Sequence, residues 1–159
     1  MSQLRGTDIV VDKIRAKKNV ISGSGATASL SAFDSGSTVL MDRAAGIVFT
    51  LPTAQPGLVF DFIVTTSVTS NAYKVITAVG TELLTGGYTS VDTDSANAAA
   101  IFTGNGSTHI AVNMTAAGSN ALGGIKGTAL RFTCLSSTLW VVEGTVMCGG
   151  TPATAFATS

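Results

Sequence analysis

Charge is scarce in this chain: 9 Lys+Arg and 9 Asp+Glu make up 11% of 159 residues, and the formal net charge is zero. A soluble domain averages about 25% charged residues, so solubility here must rest on hydroxyls and amides, and Ser and Thr together number 39. Zero net charge excludes a basic whole-protein footprint for nucleic acid or for an anionic membrane. Long apolar runs are lacking too. The 31 residues between Asp94 and Lys126 carry no charge, but Asn97, Asn105, Ser107, Asn113 and Ser119 interrupt them. No stretch of about 18 apolar residues is left to form a spanning helix. Met1-Ser-Gln-Leu-Arg5 offers no apolar core ahead of a cleavage site, so the reading is no secretory signal, with synthesis and folding in the cytosol. The sequons at Asn105 and Asn113 then carry no glycan, and Cys134 and Cys148, the two cysteines, are expected as free thiols.

Catalytic material is equally thin. His109 is the single histidine, so any Ser or Cys nucleophile has one candidate base, and no Gly-x-Ser-x-Gly elbow is present. It reads as an exposed histidine at a strand end. One His and two Cys cannot fill a four-ligand zinc site, and Asp92-Thr-Asp94 lacks the closing Glu of a calcium loop. Paired carboxylates for glycoside cleavage would have to come from Glu82, Glu143 and the seven Asp, and no pattern singles out such a pair. The Gly-rich pieces Gly23-Ser-Gly25 and Gly123-Gly124 fit no phosphate or dinucleotide pattern. The expectation is therefore no enzyme, no metal and no cofactor.

What the chain does have is two-residue alternation, with no helical periodicity sustained over three turns. Ile47, Phe49 and Leu51 share one strand face, as do Leu58, Phe60, Phe62 and Val64, with Asp61 on the opposite side. Pro52 and Pro56 bracket the connection, and the two runs are expected to be neighbours. Ala98–Thr103, the turn Gly104-Asn-Gly-Ser, and Thr108–Met114 read as a hairpin, since Asn-Gly supplies the positive φ such turns need. Ala129–Leu135 places Leu130, Phe132 and Cys134 inward, and Thr138–Val146 follows after a bend at Ser136-Ser137. Weaker strands are expected at Ala26–Phe33, Thr38–Met41 and Lys74–Ala78. Helix is confined to short options at Val11–Lys18 and Ser95–Ala100. The prediction is an all-β fold, an antiparallel β-sandwich or jelly-roll-like single domain, with Phe49, Leu51, Phe60, Phe62, Phe132 and Trp140 in the core. The absence of a fixed repeat disfavours a solenoid.

Charge divides the chain in two. Residues 1–18 hold Arg5, Asp8, Asp12, Lys13, Arg15, Lys17 and Lys18, whereas residues 19–159 hold only four basic and seven acidic side chains. We read 1–18 as an N-terminal arm and 19–159 as the domain. Leu4, Ile9 and Val11, with Arg5, Lys13, Arg15, Lys17 and Lys18, are the candidate contact residues toward a partner or a second subunit. The alternative is a first strand of the domain's own sheet.

The succession Thr38-Val-Leu-Met-Asp-Arg-Ala-Ala-Gly46, Ile47-Val-Phe-Thr-Leu-Pro52 and Gly57-Leu-Val-Phe-Asp-Phe62, closed by Gly124-Ile-Lys-Gly-Thr-Ala-Leu130 and Leu139-Trp-Val-Val-Glu-Gly144, resembles small virion proteins of tailed bacteriophages, most of all capsid decoration or cement proteins. The resemblance implies a homotrimer on the capsid surface, made in the host cytoplasm, that binds the major capsid protein and stabilises the assembled shell without nucleic acid or membrane as partner. The alternative is a head or tail fibre module that binds a host receptor or glycan through Trp140, Tyr88 or Tyr73 exposed in a groove.

Overall fold

The computed structural model describes residues 18–94, 99–115 and 120–159. Alternation has its expected outcome, an all-β sandwich of two sheets. Among the described residues twelve strands form: β1 (Val20–Ser22), β2 (Thr27–Ser29), β3 (Thr38–Met41), β4 (Ile47–Thr50), β5 (Val59–Val64), β6 (Ala72–Ile76), β7 (Leu83–Asp92), β8 (Ala99–Asn105), β9 (Ala111–Thr115), β10 (Ala129–Ser136), β11 (Leu139–Cys148) and β12 (Phe156–Ala157). Among the described residues the helical content is one 3-10 turn, Ala32–Asp34, where the Asp34 carboxylate accepts the N–H and hydroxyl of Ser31.

Strand direction departs from the antiparallel expectation. The seven-stranded sheet runs β1-β3-β5-β10-β11-β7-β8 and the five-stranded sheet β12-β9-β6-β4-β2. Odd and even strands of the first half alternate between sheets, so β1, β3 and β5 stack in parallel on one side and β2, β4 and β6 on the other. The chain winds there as a flattened coil, with turns of unequal length that leave no fixed repeat to read. β11 and β7 add a further parallel pair of ten residues. The sheets are therefore mixed, and the body is a sandwich rather than an antiparallel jelly roll.

Two local expectations are corrected by the same geometry. β4 and β5 are not neighbours in one sheet; they face each other across the core, where Phe49 and Phe62 meet edge to face. The expected hairpin does not form over the described residues 99–114, because β8 pairs with β7 and β9 with β6. Asn105 explains the change: its side-chain oxygen accepts the N–H groups of Ser107, Thr108 and His109, which turns the chain toward the opposite sheet. The Ala-rich option at Ser95–Ala100 yields strand at Ala99 and Ala100, while 95–98 lie outside the described residues. The β10–β11 hairpin forms as expected.

All six expected core residues are buried, Trp140 included. Its parity is opposite to that of Leu139 and Val141 because the inward face of β11 is the one carrying Trp140, Val142 and Val146. Cys134 and Cys148 are buried free thiols, and burial raises the Cys134 pKa. Glu82 is an unexpected interior residue, 1% exposed, whose carboxylate accepts the N–H of Ala54 at 2.7 Å and of Ala78 at 3.3 Å. Two loop segments are tied together by this one side chain.

Candidate functional site: the outer face of the seven-stranded sheet

Register determines what stands side by side on this face. Thr38 of β3 lies beside Asp61 of β5, Asp61 beside Arg131 of β10, Arg131 beside Glu143 of β11, and Glu143 beside Gly87 of β7. Each of these positions has outward parity, so one lateral row crosses the sheet with charges at its centre. The next outward row runs Leu40, Ile63, Ala129, Thr145 and Thr89, and the row on the other side runs Val59, Thr133, Val141 and Thr85. Threonine, small and β-branched side chains dominate, as suits a half-covered pleated surface.

Asp61 is the hub. Its carboxylate accepts Arg131 Nε at 2.6 Å and Arg131 Nη2 at 3.1 Å, a two-point contact with geometric specificity. Lys18 Nζ reaches the same carboxylate from the start of the described chain. The hydrogen bond from Arg131 is the main force holding the Asp61 carboxyl below the usual carboxylate range; partial burial opposes it and Lys18 reinforces it. Above this cluster lies an open groove of about 500 Å³, bordered by Thr38 and Ile63 on one side and by Glu143 and Gly144 on the other. Ala129, exposed and small, lines it between them. Gly144, with φ +143, meets the β10 backbone so closely that an added Cβ would sit 2.1 Å from the Ala129 carbonyl oxygen.

The five-stranded sheet has a hollow of similar volume near Arg43 and Asn71. Two of its polar side chains are engaged by the chain itself: Arg43 donates to the Gly46 carbonyl and Asn71 to that of Ala45.

The candidate contact residues Leu4, Arg5, Ile9, Val11, Lys13, Arg15 and Lys17 lie outside the described residues, as does the helical option at Val11–Lys18 apart from Lys18. Lys18 is described, and it turns onto Asp61. His109 is half-buried rather than exposed: Nδ1 accepts the Asn105 N–H at 3.2 Å and the ring stacks on Phe156. Asp92 and Asp94 accept backbone N–H groups of Asp94 and Gly150, so both carboxylates serve their loop. No group of three or more His, Cys, Asp or Glu side chains comes together among the described residues. Glu82 is interior and Glu143 outward, which separates the two glutamates.

The aromatics named for a glycan groove are misplaced for it: Trp140, Tyr88 and Tyr73 are 0%, 2% and 0% exposed. Their strands turn them inward, where Trp140 packs by Phe60 and Tyr88 by Phe102 and Phe156. The aromatic that does face solvent is Phe33, on the 3-10 turn. Sequence reasoning placed Asp61 outward but missed its pairing with Arg131. The signal was present in the outward parity of both, and only the β5–β10 register joins them.

No family model, curated protein or solved structure matches the chain.

Proposed function

We propose that this protein is a structural virion component that binds the outside of an assembled phage capsid and stabilises it, as decoration or cement proteins do. The observation that supports the reading best is the outer face of the seven-stranded sheet, which is broad, flat in composition and charged only along one row. Covering such a face desolvates few charges, and desolvated unpaired charge is the main penalty at a contact. The partner is the major capsid protein, reached by the basic, apolar-studded segment 1–18, and the binding unit is a homotrimer. Stabilisation follows from mass action: a protein that binds the assembled shell and not its dissociated parts shifts the balance toward the shell. Many weak contacts repeated over a lattice then add through multivalency.

The test is the number of copies in purified particles. A copy number in proportion to the capsomers supports decoration. A few copies confined to a vertex or tail would replace it with the fibre reading, in which the protein contacts the host surface.

A further inference from the structure

We infer that the outer face of the seven-stranded sheet is a contact for the same face of a second copy, related by a two-fold axis parallel to the strands and lying between β5 and β10. The inference does not rest on capsid binding; both contacts would use this face, so a copy paired in this way has it covered and unavailable to a shell. The inference rests instead on the self-complementarity of the face in charge and in size.

The charges come first. Across the face the order is Lys18, Asp61, Arg131, Glu143, with signs plus, minus, plus, minus. An isologous contact requires a patch that complements itself when turned over. Turning this row about the proposed axis reverses its order to minus, plus, minus, plus. Asp61 then meets the second copy's Arg131, and Arg131 its Asp61; Lys18 meets its Glu143, and Glu143 its Lys18. Four opposite-sign pairs form and no like-sign pair does. Within one chain Arg131 already neutralises Asp61, so the centre of the contact becomes a ring of four alternating charges.

Size complements in the same operation. Ile63, 36% exposed, is the large side chain beside the groove, and its lateral neighbour on β10 is Ala129. The axis between β5 and β10 sets Ile63 over the second copy's Ala129 and the reverse, one projection into one hollow on each side. In the outer rows it sets Val59 against Thr133 and Leu40 against Thr145, again without placing two bulky side chains together. An axis perpendicular to the strands along the charged row would instead set Asp61 on Asp61 and Arg131 on Arg131. Face-to-face sheets pack with strand directions within about 30°, which this arrangement satisfies. The overlap covers about six strands at roughly 4.8 Å spacing, a contact at the small end of the specific range. Association is therefore expected at high micromolar concentration in solution. If the protein is also threefold, the contact joins two trimers.

The experiment is a charge exchange read as mass in solution by light scattering of the full chain at several hundred micromolar. The wild type is expected to show an even number of chains. Glu143→Lys alone and Lys18→Glu alone each create two like-sign contacts and should halve that mass, with the strand spectrum in circular dichroism unchanged. An equimolar mixture of the two variants restores every opposite-sign pair, and the full mass should return. Ala129→Lys, which blocks the hollow for Ile63 at an exposed site, should halve the mass independently of the exchange. A wild type with an odd number of chains, single variants that keep the parent mass, or a mixture that stays at half mass would each overturn the inference.

Discussion

Phe49 of β4 and Phe62 of β5 meet across the sandwich with ring centroids 5.6 Å apart and planes at 66°. Phe62 in turn stands edge-on to Phe132 of β10 at 5.2 Å, so one side chain joins the coiled N-terminal half to the C-terminal hairpin. Removing a buried Phe forfeits its transfer energy and leaves a cavity. Phe62→Ala should lose about 3 to 5 kcal/mol in urea melts, while the outward neighbour Ile63→Ala should lose much less.

The same pair shows what alternation can and cannot disclose. The parity of Phe49 and Phe62 marks the buried face of each strand, and Phe49, Leu51, Phe60, Phe62 and Phe132 follow from such alternation, whereas Trp140 is buried against the parity of its apolar neighbours Leu139 and Val141. Parity does not say which sheet a strand joins. Short connections such as 51–58 look like hairpin links, yet the chain crosses the core there, and the parallel neighbours β3 and β5 are brought together only by that crossing. β7 escaped notice because Gly86 and Gly87 interrupt its pattern and its parallel partner β11 lies far along the chain. Glu82 was equally illegible, since a lone acidic residue in a polar stretch reads as solvated. The charged row was half visible, as outward positions without neighbours.

Glu82 yields the second prediction. Glu82→Ala would leave the N–H groups of Ala54 and Ala78 without their acceptor, at about 1 to 3 kcal/mol for each group left unsatisfied inside. Glu82→Gln keeps a carbonyl oxygen for Ala54 and should lose less. Urea midpoints of the two variants, with unchanged m-values, check the order.

Acid should expose the Asp61 cluster. A carboxyl held below its ordinary range takes up its proton later in the folded state than in the unfolded chain. Its stabilising effect is therefore complete above the ordinary value of about 4 and is lost as pH falls through the lower folded value. The gap in urea midpoint between the wild type and Asp61→Asn should be constant near neutral pH and close in that acidic window. A gap that does not change with pH would remove the ion cluster from the account.

Alkali should act through the tyrosines. Burial pushes the Tyr73 phenol up to about 12, and its hydroxyl donates to the Thr66 carbonyl at 2.8 Å. Burial raises Tyr88 as well. The unfolded chain ionises its phenols near pH 10, so stability should begin to fall above about pH 10 and continue falling toward the folded value. Phenolate absorbance should then rise together with loss of the strand signal, not before it.

The most direct test of the capsid reading is the heat resistance of particles assembled with and without this protein. The account predicts that shells lacking it still form but release DNA at a lower temperature, and that adding the purified protein back restores the complete particle's resistance. Depleted shells as heat-resistant as complete ones, with adsorption to host cells lost instead, would contradict it.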